Sequence, residues 1–234
     1  MHKKYKNVLV PGWAVMTGLY SLNPDPHPAI YDFHFFKEGG NPEQLLRFED
    51  NLEILFDAPG ILYAHSLGAL LSLRAAGGLP NVKALVVYSG FAKFARSADD
   101  NIHGQSLDAI AAMKKHLSDN PRGLLNNFHR TMFHPQKSSS SLPDHFNISA
   151  LAAGLDILSG LDARPMLAKI QIPVLVLHGK DDRIVNPKLA AELAAGLKNS
   201  RLHMIENAGH ALPLTHVKEI NNLVERFISD YDIS

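Results

Sequence analysis

Short apolar runs that end at glycine or proline recur along this chain and set its rhythm. Val8-Leu9-Val10 runs into Pro11-Gly12 and reads as a buried strand entering a loop. Residues 31–36 alternate aromatic and polar side chains ahead of Gly39-Gly40, which predicts a second strand. Residues 42–56 follow as a predicted helix with Pro42 in its first turn. A third strand is predicted over 60–64. Residues 67–76 have helical composition and stop at Gly77-Gly78, a common helix end. A fourth strand is predicted over 82–88. From Phe91 to about Pro165 no strand is evident. That stretch predicts helices over 107–117, 122–132 and 148–158. A serine-rich tract at 136–141 reads as a solvated, mobile connection. The alternation resumes with a strand at 173–178, a helix at 187–197, a strand at 202–205 and a closing helix at 212–231.

Alternating strands and helices imply an α/β fold, a mostly parallel sheet flanked by helices. The chain divides into a core, 1–90 and 166–234, and an all-helical insertion, 91–165, that is expected to form a lid.

Composition narrows the chemistry. With 234 residues, one domain with an insertion suffices. The absence of cysteine excludes thiolate nucleophiles, zinc-thiolate sites, iron–sulfur clusters and disulfides. Lys+Arg and Asp+Glu are 23 each, so no net field draws the chain to nucleic acid or an anionic membrane. No apolar run reaches the ~20 residues that span a bilayer, and the run after the basic N-terminus is too short for a signal peptide. A cytoplasmic location is expected. Apart from His65, His178 and His210, the histidines lack paired metal-ligand spacing. They read as solvated or locally bonded, with no metal and no cofactor.

The reactive candidates lie where strands end. Tyr63-Ala64-His65-Ser66-Leu67-Gly68 turns from strand to helix in the pattern small-x-Ser-x-Gly, the spacing of a nucleophile elbow. Taken alone, Ser66 also reads as a helix N-cap. A serine hydroxyl needs a positioned base. His178-Gly-Lys-Asp-Asp-Arg-Ile-Val185 offers Asp182 as the orienting acid, with Asp181 in reserve, or a turn that merely caps the next helix. Glu206-Asn-Ala-Gly-His210 offers His210 as the base, or a capping histidine. Jointly the three follow the order Ser, Asp, His at three strand ends, where open α/β sheets carry their ligands. An oxyanion needs two N–H donors. Leu67 supplies one from the helix start, and Trp13, after Gly12, is the expected second. Its indole also reads as plain core.

These residues together resemble the α/β-hydrolase superfamily, and within it the esterases of biotin synthesis that cleave a carrier-bound acyl methyl ester. The likeness covers Pro11-Gly12-Trp13, Ser66-Leu67-Gly68, Leu117-Ser118-Asp119, residues 154–158 and 162–167, and Gly209-His210-Ala211. The chain differs from the superfamily at Pro11, where histidine is usual, and at Ala64, where glycine is usual. Its first strand corresponds to the third of that superfamily. The resemblance implies a helical lid over the serine with an acyl chain beneath it. Phe128, Met132 and Phe133 fit an apolar lining of that space, and equally read as plain helix core. The resemblance also implies lid arginines, best matched by Arg122 and Arg130, that hold an acidic acyl carrier protein, although the carboxylates interspersed with them in the lid fit a merely solvated surface better. The expected reaction is serine ester hydrolysis of a small or carrier-bound acyl ester through an acyl-enzyme. Hydrolysis of other small esters or carbon–carbon bonds, or ligand binding with vestigial turnover, stays open at this point.

Overall fold

β-Branched and leucine-rich runs with no polar interruption make strands that are buried on both faces, and four such runs build the centre of this molecule. The computed structural model describes residues 6–21, 28–38, 42, 45, 47–96, 103–138 and 141–233. Its main sheet is wholly parallel, with six strands in the order β2-β1-β3-β4-β7-β8. The strands are β1 Val8–Val10, β2 Ala29–Ile30, β3 Gly60–His65, β4 Val82–Tyr88, β7 Val174–Gly179 and β8 Ser200–Ile205. Successive side chains point to opposite faces. Val8, Val10, Leu62, Ala64, Leu85 and Val87 therefore join one core, while Leu9, Ile61, Tyr63, Val86 and Tyr88 join the other.

Helices seal both faces. α1 Phe48–Leu55, α2 Leu67–Ala75 and α7 Lys188–Gly196 cover the first face. The second is covered by α8 Leu212–Thr215 and α9 Val217–Asp230, with Ile220, Val224 and Phe227 of α9 at the helical spacing that makes one apolar stripe. Each fully buried side chain of this size contributes about 1.5–3 kcal/mol, so the sheet centre is the rigid base of the molecule.

The segment between β4 and β7 holds α3 Leu107–Asp119, α4 Pro121–Phe133, α5 Ile148–Gly160 and the short α6 Arg164–Leu167. Ser106, Asn120 and Asn147 start the three long helices, each side chain accepting a backbone N–H of the first turn at 2.9–3.1 Å. The segment is not all-helical. A two-stranded parallel pair, β5 Ala95–Arg96 and β6 Gln105–Ser106, opens it.

Other expectations need correction. Residues 31–36 are not a strand. Tyr31, Phe33 and Phe35 are buried in alternation, but Asp32 caps the N–H of His34 at 2.7 Å and His34 sits at φ 58°. That local turn breaks the extended backbone, and pairing with β1 falls to Ala29–Ile30 instead. Among the described residues the expected helix runs over Phe48–Leu55, and its residues 43, 44 and 46 lie outside the described residues. The closing helix is interrupted at His216. In the serine-rich tract, residues 139 and 140 lie outside the described residues. Gln136 is half-buried and donates to the carbonyl of Asn207 at 2.5 Å, while Lys137 beside it is exposed.

Candidate active site

The carboxyl ends of β1, β3, β7 and β8 converge, and the chain reverses its direction of travel across the sheet between β1 and β3, the usual place for a ligand crevice. Ser66 follows β3 directly. Its backbone is held at φ 54°, ψ −114°, a strained conformation for a residue with a Cβ, costing about 1–3 kcal/mol. The surroundings enforce it: the Ser66 N–H donates to Tyr88 O at 3.0 Å, and its own carbonyl accepts Leu70 N–H at 3.1 Å, starting α2. A Cβ on Gly68 would lie 2.5 Å from the carbonyl oxygens of both Val10 and Pro11, so only glycine lets the helix start this close to β1. The hydroxyl makes no capping bond, which removes the N-cap reading.

That hydroxyl is 2.9 Å from His210 Nε2, and His210 Nδ1 is 2.8 Å from Asp182 Oδ2. All three residues are buried. The carboxylate can only accept, so His210 carries its proton on Nδ1 and turns the Nε2 lone pair to Ser66. Asp182 is held by the turn it makes: Oδ1 accepts the N–H groups of Ile184 at 2.8 Å and Val185 at 2.9 Å. Oδ2 also faces His178 Nε2 at 3.2 Å. Burial alone pushes its carboxyl upward. The charge available on His210 and the hydrogen bonds from His178 and His210 outweigh that and hold the group well below the usual carboxylate range. Asp181 is exposed and spends its N–H on Ala208 O at 2.9 Å. Glycines press the loops together: a Cβ on Gly179 would be 2.2 Å from Ala208 O, and one on Gly209 would be 1.7 Å from His134 O.

The Leu67 N–H lies at the start of α2. The Trp13 N–H sits in the loop after β1. Gly12 C=O is turned toward Val15 N at 3.4 Å, and a trans peptide then points the following N–H, that of Trp13, the opposite way. The Trp13 indole packs as core as well. It donates to Leu151 O of α5 at 2.8 Å and meets the ring of Phe128 edge-on at 4.9 Å between centroids.

Above Ser66 is a cavity of about 160 Å³. Trp13, Phe94, Met113, Phe128, Leu155 and Leu158 give it apolar walls, with Gln105 and Arg183 as polar members. Phe128 therefore lines it, whereas Met132 and Phe133 are buried elsewhere in the core. Arg122 is engaged within the molecule, with Asp144 at 3.5 Å, the Pro143 carbonyl at 3.2 Å and the Phe146 ring at 4.9 Å. Arg130 is exposed and, among the described residues, reaches Asn127 Oδ1 on its own helix, at 2.5 Å.

The sequence reading gave no site role to His178, Ser89, His129 or Arg183. Ser89 Oγ donates to His210 O at 3.1 Å. His129, expected to be solvated or locally bonded, is buried, and its Nε2 bonds Ala14 O at 2.9 Å, 115 positions away. No short-range pattern signals such a contact. Among the described residues, no group of three or more His, Asp or Glu could hold a metal ion, and no helix is long and apolar enough to cross a membrane.

A family model described as "Alpha/beta hydrolase family" matches residues 8–223. A protein of Neisseria meningitidis serogroup C named pimeloyl-[acyl-carrier protein] methyl ester esterase is 30% identical over 188 residues, 76% of this chain and 73% of that one. A protein of the same name from Xylella fastidiosa strain M23 is 26% identical over 95% of this chain and 94% of its own. Among solved structures, a bromoperoxidase from Bacillus anthracis superposes with a TM-score of 0.81 over 97% of this chain and 93% of its own, at 18% identity.

Proposed function

This chain belongs to the alpha/beta hydrolase family, and from that premise we propose that it is a serine carboxylesterase acting on an acyl ester, in the form of a carrier-bound pimeloyl methyl ester. The observation that carries the reading is the buried chain of hydrogen bonds from Ser66 through His210 to Asp182. In this mechanism Ser66 Oγ attacks the ester carbonyl while His210 Nε2 takes its proton. Asp182 keeps the imidazole in the required tautomer and stabilises its cationic form. The N–H groups of Leu67 and Trp13 hold the developing oxyanion. His210 then protonates the departing alcohol, and an acyl-enzyme remains on Ser66. Water, deprotonated by the same imidazole, attacks that ester and releases the acid.

Two features support the acyl substrate. The cavity is apolar and small beside the 300–1,000 Å³ of ordinary ligand pockets, which suits a chain of a few methylenes. The relatives that span most of this chain carry the pimeloyl-ester name. Residues 91–165 act as the lid, and a carrier protein docks on its exterior. Arg130 is the proposed contact, since Arg122 is committed to Asp144 and Phe146. The enzyme needs no cofactor or metal, and it works in the cytoplasm on a soluble partner.

A series of methyl esters tests this, running from free short-chain esters to the carrier-bound pimeloyl ester. The reading predicts the highest kcat/KM on the carrier-bound ester, with Arg130→Glu raising KM about tenfold for that substrate alone at low salt. Equal rates on carrier-bound and free esters would remove the carrier. No hydrolysis of any ester would remove the esterase.

A further inference from the structure

His65, next to the nucleophile, is completely buried, and the mechanism above gives it no task. Its Nε2 lies 2.9 Å from the backbone carbonyl of His210, and its Nδ1 lies 2.8 Å from the hydroxyl of Tyr20. That hydroxyl lies 3.2 Å from the N–H of Gly12. The directions of these bonds follow from chemistry. A carbonyl only accepts, so His65 carries its proton on Nε2. Its Nδ1 is then a lone pair, so the Tyr20 O–H must donate to it. The Tyr20 oxygen is left to accept from Gly12 N–H. One directed chain runs from Gly12 through Tyr20 and His65 to the His210 carbonyl.

We propose that Tyr20 is a positioning residue that ties the loop bearing the Trp13 N–H to the backbone of His210. The proposal rests on the serine-esterase reading of the site. Gly12 lies against the nucleophile itself: a Cβ there would be 3.1 Å from Ser66 Cβ and 3.1 Å from His65 Nδ1. Bonding its N–H to Tyr20 fixes the tilt of the loop, and Trp13 N–H is the next donor along. At the other end the His210 carbonyl takes two donors, His65 Nε2–H and Ser89 Oγ–H. Base and oxyanion donor are thereby referred to one frame. The frame survives changes of pH. Burial, reinforced by the charge His210 acquires, pulls His65 down to about 3, so it stays neutral while His210 cycles. Burial also raises the Tyr20 phenol well above its ordinary value, keeping the donor in place.

Tyr20→Phe deletes one oxygen and keeps the ring. Active sites are first counted by the burst of p-nitrophenol from a short p-nitrophenyl ester, in both proteins. The expected result is kcat per titrated site about tenfold lower, with KM within twofold. Loosening an oxyanion donor costs less than the 10²–10³ of deleting one. Binding of phenylboronic acid, whose tetrahedral adduct fills the same position, should weaken by a similar factor. Unchanged kcat per site and unchanged boronate binding would overturn the proposal, as would a loss confined to KM. A drop in total activity explained by fewer titratable sites would also overturn it, leaving Tyr20 a merely structural residue. A wild-type protein that shows no burst and takes no fluorophosphonate label on Ser66 overturns the serine reading and this proposal with it, an outcome distinct from failure of the variant alone.

Discussion

The floor and the roof of the pocket are held by different kinds of bond. On the floor, every polar atom of Ser66, His210 and Asp182 that faces a partner is buried and paired, and the three loops interlock at glycines. The roof is attached unevenly. Its α4–α5 flank is joined to the site loops by three long-range bonds: Trp13 Nε1 to Leu151 O, His129 Nε2 to Ala14 O, and Ala211 N to Met132 O. Its β5–β6 flank packs Phe94 and Ala95 into the core, but its polar contacts there are exposed, His103 with Glu192 at 2.6 Å and Gln105 with Ile184 O at 3.5 Å. A buried bond left unpaired costs about 1–3 kcal/mol, whereas an exposed pair is worth about 0–1 kcal/mol. The α4–α5 flank is therefore tied to the site loops by buried bonds, and the polar contacts of the β5–β6 flank are the weaker ones.

The comparison breaks first on the floor. Asp182→Asn should lower kcat about 10⁴-fold, because the amide favours the wrong tautomer of His210, while Asp181→Asn should leave it nearly unchanged. Steady-state assays of both variants decide, and a reversal would move the acid to Asp181.

Next is the acid response of the floor. His65 titrates near 6.5 when unfolded and about 3 when folded. As pH falls below 6.5 the unfolded chain binds the proton and the folded chain does not, so stability is lost down to about pH 3. The slope from this one group approaches about 1.4 kcal/mol per pH unit. Urea unfolding from pH 7 to 4 should show it, and His65→Gln should flatten it. An equally steep slope in the variant would contradict the account.

The junction comes third. Gly154 faces the indole: a Cβ there would sit 2.5 Å from Trp13 Cδ1. In an exposed helix Gly→Ala stabilises by about 1 kcal/mol. Here Gly154→Ala should destabilise by about 1–3 kcal/mol through overpacking, and it should lower kcat by displacing the Trp13 loop. His103→Ala on the opposite flank should change stability by less than about 1 kcal/mol. Equal effects at the two positions, read by denaturant titration and kcat, would erase the distinction between flanks.

The floor was legible in the sequence because its chemistry is local. Ser66 needs a small residue two before and two after, and Asp182 and His210 each sit in a short turn directly after a strand. The frame around it was hidden because its bonds span the chain. Tyr20 and His65 are 45 positions apart, and His129 and Ala14 are 115 apart. Neither pair disturbs any periodicity. Residues 31–36 show the opposite failure. Their alternation of buried rings is real, but burial in alternation does not require a strand when a loop turns at His34. The three insertion helices were readable from their helical composition, whereas the two-residue strands β5 and β6 are too short to leave a pattern.

The central claim is that Ser66 is acylated under an intact roof. Intact-mass spectrometry after treatment with a fluorophosphonate, followed by peptide mapping, tests it most directly. The account predicts one adduct per chain, on Ser66, with none on Ser66→Ala and with ester hydrolysis by that variant down on the order of 10⁶ in kcat. An adduct at another residue, or hydrolysis by Ser66→Ala at a tenth of the wild-type rate, would contradict it.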